Sequence, residues 1–357
     1  MSTHETNRPD TPQAASAPPS DALPDDVVEV LPSDAPDNGP LVVGFCLDGR
    51  GGATELTWEQ VRDGPCEGAV WVHLHFPNVE ARRWLRHQPG VEEVVYEALV
   101  ADETRPRAVA QGSGLMANLR GVNLNPGADP EDMVSIRIWL EPGRIITARR
   151  RQLSSAVDMR AAFQRGQGPE TPAQLFVLLA ERLADQTSDM VESLADQVDS
   201  LEAAAALDDP RPARRVLAEC RRQAVALRRF IAPQRDALSR AGHERIAVLD
   251  DTDRLHLREI ADRLTRVVEE LDAARERAQV IQEEIASRMG EQLNRRIYVL
   301  SLVAGVFLPL SFLTGLFGIN VGGIPGAENP NGFIWVAGLL AALLFSLAVL
   351  FRWVRWM

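Results

Sequence analysis

The sequence predicts an α+β membrane protein: a cytosolic α/β domain, a helical hairpin and a long stalk helix that continues into a two-span C-terminal transmembrane hairpin. Three observations carry this. Ile297 to Gly318 is a run of 22 residues without a charge. As a helix rising ~1.5 Å per residue it extends roughly 33 Å, enough to cross a bilayer. A second uncharged run of 20 residues, Gly332 to Phe351, follows a loop too short to fold alone, so the two spans form a hairpin. Upstream, residues 39–168 mix brief β-branched runs with helix signals, whereas 169–296 carry long helical periodicities.

Residues 1–38 are acidic and proline-rich with almost no periodic apolar content. Such a segment cannot offset its ordering entropy by burial and is expected to be a disordered tail. From Leu41, the runs LVVGFCL, AVWVHLHF, LMANL, VSIRIWL and RIITA read as strands of an α/β domain spanning 39–168. Between them, Thr57 and Gln60 form a capping-box pattern, and residues 81–87 and 91–100 have helical spacing. His73 and His75, two apart on a strand, share a face, but no cysteine or carboxylate accompanies them at ligand spacing, which favours a packed pair over a metal site. Cys46, Cys66 and Cys220 show no paired spacing, so neither a disulfide framework nor a structural zinc site is expected, in keeping with a reducing cytosol.

Residues 169–240 read as a helical hairpin. The first helix has an apolar stripe through Phe176, Leu179, Leu183, Leu194 and Val198, and an acidic one through Glu181, Asp185, Asp189, Glu192, Asp196 and Asp199. Asp208-Asp-Pro-Arg-Pro212 breaks it, and the return helix is apolar at Leu217, Leu227, Ile231 and Leu238 but basic at Arg214, Arg221, Arg228 and Arg235. Acidic and basic helices are expected to pair with each other, the apolar seams supplying most of the stability; a cation-collecting role for the acidic stripe is the alternative. In the stalk, 241–296, Ile260, Leu264, Val267, Leu271, Ala274, Ala278, Ile281 and Ile285 form a heptad seam that one copy is expected to leave unburied, so the stalk predicts a homo-oligomer. The seam continues at Met289, Leu293 and Ile297 by steps of four, so one helix runs from the cytosol through the membrane.

The spans are 297–318 and 332–351, joined by an external loop at 319–331 and followed by a short tail, 352–357. Arg295 and Arg296 precede the first span, Arg352 and Arg355 follow the second, and Glu328 is the only charge between. The positive-inside rule then places both termini in the cytoplasm. A net charge of −12 argues against nucleic acid as a partner.

The first span ends Gly318-Ile319-Asn320, directly before a loop containing Gly322, Gly323 and Pro325, and after a Pro309 kink and a long helix. In this position the tripeptide resembles the Gly-Met-Asn ending of the CorA family of divalent metal-ion transporters. Ile for Met, with Gly322-Gly323-Ile324-Pro325-Gly326, WVHLHFPN and Gly121 to Arg151, is similar to its zinc-transporting ZntB branch. The resemblance covers nearly everything after residue 40. It implies a homopentamer of the bacterial inner membrane whose first span lines a central pore, with Asn294, Ile297, Leu300, Leu308, Ser311 and Asn320 facing it, and zinc uptake, proton-coupled in that branch.

Read from the residues alone, the same face is small or weakly polar and serves equally as a helix-packing surface. It offers no His, Cys, Asp or Glu, so a divalent ion is expected to pass largely hydrated, with Asn320 an outer-sphere acceptor and Ile297 and Leu300 hydrophobic constrictions. That chemistry does not itself select zinc. No resident cofactor is expected; the cation is cargo. A magnesium or cobalt channel is the alternative within the class, and a membrane-anchored coiled-coil sensor or scaffold the alternative outside it. An enzyme is disfavoured, because no nucleophile, phosphate loop or metal triad has convincing spacing.

Overall fold

The computed structural model describes residues 39–64, 66–153, 159–204, 211–319 and 329–353. The chain divides into two compact units, one of residues up to Ser193 with Gln223–Asp272, the other of Leu194–Arg222 with the chain from Ala273 onward.

In the first unit a seven-stranded sheet has the order β2-β1-β3-β7-β6-β5-β4. Its strands are β1 (Leu41–Leu47), β2 (Ala53–Glu55), β3 (Ala69–His75), β4 (Arg107–Gln111), β5 (Gly114–Gly121), β6 (Val134–Glu141) and β7 (Arg144–Arg149). Only β3 and β7 pair in parallel; the other neighbours are antiparallel. The five expected strands are present. The additions, β2 and β4, are the two edge strands, short or largely exposed, and so lack the apolar run that marks a buried strand.

Helix α1 (Trp58–Asp63) begins at the expected capping box: Gln60 N–H donates to the Thr57 hydroxyl and the Gln60 side chain accepts from Thr57 N–H. Helices α2 (Val79–Arg86) and α3 (Glu93–Val100) lay Ala81, Trp84, Leu85, Val95, Ala98 and Leu99 on one face of the sheet, against Val72, Leu74, Met116, Trp139 and Ile146. The other face meets α4 (Met159–Gln164), whose Phe163 ring lies 4.9 Å from that of Phe45. It also meets the start of α5 (Pro172–Ala204). A Cβ at Gly121 would stand 2.6 Å from Leu183 Cδ2 and 3.0 Å from Leu153 Cδ1, so a side chain there would displace both leucines.

Two findings depart from the sequence-based expectations. Cys46 and Cys66 form a disulfide. Twenty residues separate them, but the antiparallel pairing of β1 with β3 sets Cys46 opposite Val70, beside the loop that carries Cys66. The stalk seam is buried within one chain: Ile260, Leu264, Val267 and Leu271 in the first unit, and Ala274, Ala278, Ile281 and Ile285 in the second, are each less than 5 % exposed. Helices α5 and α6 (Arg211–His243) supply the cover for α7 (Asp251–Gly318) that a second copy was expected to provide. Charges of both helices also reach the stalk. Glu181 and Asp185 of α5 bind Arg263 of α7, Asp199 binds Arg277, and Arg228 of α6 binds Asp272 of α7 at 2.7 Å. The acidic and basic helices thus each find opposite charge on the stalk, because a three-helix packing gives each of them a neighbour besides the other.

Candidate functional site

Helix α7 opens on a reciprocal cap in which Asp253 N–H donates to Asp250 Oδ1 at 2.7 Å and Asp250 N–H to Asp253 Oδ2 at 3.2 Å. From there it runs 68 residues, about 100 Å at the α-helical rise. No other described helix comes near this length. Its last third and α8 (Gly332–Trp353) are the two helices long and apolar enough to cross a membrane. They touch where a Cβ on Gly305 would meet the Phe351 ring at 3.2 Å. Asn329 caps the loop before α8, its carboxamide oxygen accepting from Asn331 N–H at 2.9 Å.

Within residues 297–318 of α7 the half-covered positions are Leu302, Ala304, Gly305, Val306, Pro309, Leu310 and Leu313. At about 100° per residue all of these but Ala304 occupy one arc of the helix, with its centre roughly 140° from that of Ile297, Ser301, Leu308, Ser311 and Gly315, the face on which Ala304 falls. The face of Ile297, Ser301, Leu308, Ser311 and Gly315 is thus uncovered in the single chain, apart from Ala304. Asn294, Ile297, Leu300, Leu308, Ser311 and Gly318 are all exposed in the single chain, Leu300 and Leu308 at 69 and 68 %. Ile319 follows at 50 %. Asn320, Gly322, Gly323, Pro325 and Glu328 lie outside the described residues. Thr314, which could add a hydroxyl to this helix, instead turns it back on the Leu310 and Ser311 carbonyls at 3.0 and 3.2 Å.

Among the described residues no three His, Cys, Asp or Glu side chains gather as a metal site. His73 and His75 are buried in the sheet. His73 Nδ1 lies 2.7 Å from the Thr147 hydroxyl, and burial, with Arg149 and His75 adding to it, pulls the imidazole down to about 3. Such a neutral ring belongs to the core. A cavity lined by arginines was not anticipated; its only sequence signal is Arg120 and Arg137, set in strands that are otherwise apolar.

Comparison with known proteins places this architecture. The model of the CorA-like Mg2+ transporter protein family matches residues 67–355. A divalent cation transporter, CmaX, of Pseudomonas aeruginosa is 39 % identical over 330 residues, covering 90 % of this chain and 98 % of its own. The zinc transport protein ZntB of Yersinia enterocolitica is 38 % identical over 316 residues, 88 % of this chain and 96 % of its own. The full-length CmaX structure superposes with a TM-score of 0.79 at 38 % identity, covering 89 and 98 % of the two chains. The CorA magnesium transporter of Methanocaldococcus jannaschii superposes with a TM-score of 0.74 over 88 and 99 %, at 15 % identity a likeness of fold alone. On its own sequence and by the extent of these matches, the chain belongs to the CorA-like Mg2+ transporter family.

Proposed function

We propose that the protein moves divalent cations across the bacterial inner membrane, with zinc as the physiological cargo, through a pore lined by the first span of several copies. The observation that carries this reading is the uncovered face of α7, which continues without a break from a cytosolic helical bundle. A two-helix hairpin encloses no aqueous path, so several copies must bring that face together. Relatives named as divalent cation and zinc transporters align along nearly the whole chain, which supports cargo and class together. The copy number, five in the resemblance, and cytoplasmic termini, from the flanking arginines, belong to the same proposal.

Within it, Asn294 and Ser311 offer neutral oxygens, and Ile297, Leu300 and Leu308 narrow, apolar rings. Asn320, with Gly318 and Ile319, is assigned to the outer pore entrance. Neutral oxygens do not repay the dehydration of a divalent ion, so it travels with its water and is recognised through it. Nothing in this arrangement calls for a resident cofactor or a catalytic step. The test is metal flux into liposomes carrying the full-length protein, read by a trapped zinc-sensitive dye with and without a pH gradient. Zinc entry that magnesium and cobalt do not outcompete is expected. Flux of magnesium or cobalt in preference would reassign the cargo, and vesicles no leakier than empty ones would overturn transport.

A further inference from the structure

We propose that a cavity in the first unit, walled by Arg105, Arg120, Arg137, Arg150, Arg151 and Arg229, binds a compact phosphate-type polyanion of the size and charge of pyrophosphate. The cavity holds about 620 Å³ and is lined by these six arginines against Asp102, Glu103 and Asp132, an excess of three positive charges.

Two of the arginines are built into the sheet. β5 and β6 pair Asn118 with Arg137 and Arg120 with Ser135, which places both guanidinium groups on the face that carries Trp139 and Met116. That face is covered by α3 as far as Val100 and opens beyond it. Arg137, 1 % exposed, donates to the Ala101 and Asp102 carbonyls at 2.6 and 3.2 Å and lies 4.4 Å over the Phe76 ring. Arg120 donates to the Met133 and Thr104 carbonyls at 2.7 and 2.8 Å and lies 4.6 Å over Phe230. Both groups are therefore held in place, while the buried Nε of each has no partner. Burial, then the neighbouring Arg120, brings Arg137 down to about 10. Packing a buried cation against a half-buried one is unfavourable unless an anion answers them.

Two of the three acids of the wall are already engaged. Asp102 pairs with Arg150 at 3.5 Å and Asp132 with Arg151. Arg105 and Arg229 stand exposed at the rim and, among the described residues, form no ion pair. The wall also carries the hydroxyls of Thr104 and Ser135, 2.8 Å apart. Guanidinium forks match the oxygens of a phosphate group, and the net charge excludes a metal cation. A cavity of this volume is within the range of small-molecule sites and exceeds what one phosphate fills. A nucleoside would need a bare aromatic face, yet Phe230 already carries Arg120 and Arg229, each at 4.6 Å. What remains is a small ligand with several anionic oxygens.

The test is titration calorimetry on the full-length protein in detergent, freed of metal by chelation and dialysis, with sodium pyrophosphate, phosphate and ATP as probes. One pyrophosphate per chain is expected, bound more weakly as salt rises. The Arg105→Ala/Arg229→Ala double variant, which removes only exposed side chains and whose fold circular dichroism checks, should weaken binding about tenfold or more. Arg83→Ala, exposed on α2 outside the cavity, should bind as the parent does. The proposal is overturned if millimolar pyrophosphate gives no heat, if the double variant binds equally well, or if ATP binds where pyrophosphate does not.

Discussion

A histidine two residues from another on one strand can be read as half of a metal site, and only its surroundings decide. His73 is enclosed by Trp71 and Thr147, with its folded-state value near 3 against 6.5 in an unfolded chain. Between those values the unfolded state binds a proton that the folded state refuses, so stability is full above pH 6.5 and falls as pH drops toward 3. The whole effect is up to about 5 kcal/mol. Thermal melts of the full-length protein from pH 7 to 4 should show this slope, and His73→Gln should flatten it. An equal slope in the variant would assign the acid sensitivity to other groups. At the outer mouth, Asn320 is proposed as the acceptor for the hydrated ion. Asn320→Ala should abolish selective zinc uptake without loss of the oligomer, and Asn320→Gly, which restores a helix stop but no acceptor, should fail likewise. Full flux in the glycine variant would reduce Asn320 to a helix terminator.

At the scale of the element, the stalk seam has exchanged its expected partner. Leu264 and Leu271 are fully buried within their own chain, so truncating either to alanine should cost about 2–5 kcal/mol of protomer stability. Replacing both by aspartate should unfold the packing of α5, α6 and α7, read as protease sensitivity, and should not release folded protomers. Leu293, beyond the covered stretch, is 58 % exposed. Leu293→Ala should leave protomer melting almost unchanged, within about 0.5 kcal/mol. If copies meet along this part of the helix, the same substitution should weaken the oligomer in native mass measurements. A reversal of these two behaviours would return the seam to an interface between copies.

For the molecule as a whole, charge is expected to act at a distance. Glu328 lies in the loop between the spans, between arginine-flanked ends, and repeated around an axis it would concentrate cations at the entrance. With a Debye length of ~8 Å at physiological ionic strength, the effect should be screened by salt. Glu328→Gln should therefore slow zinc uptake a few-fold at low salt and hardly at high salt. A loss that ignores salt would point to direct ligation instead. A cysteine placed at Glu328, in a background without the native cysteines, should react with an impermeant reagent from outside the cell; reaction only in inverted vesicles would reverse the orientation.

The sequence by itself determined the fold class and the membrane hairpin, because length, absence of charge and helical period are local properties that no packing can undo. The five interior strands, the Thr57 capping box and the continuity of α7 are legible for the same reason. Which face meets which partner is a property of three dimensions, and there the sequence was silent or misleading. A heptad seam is apolar whether its cover comes from another copy or from α5 and α6, and a cysteine pair twenty residues apart is invisible until β1 and β3 align. Arg120 and Arg137 look like interruptions of apolar strands until the register sets them side by side at the end of α3. Periodicity reports that a face is buried, and only the tertiary structure decides what buries it.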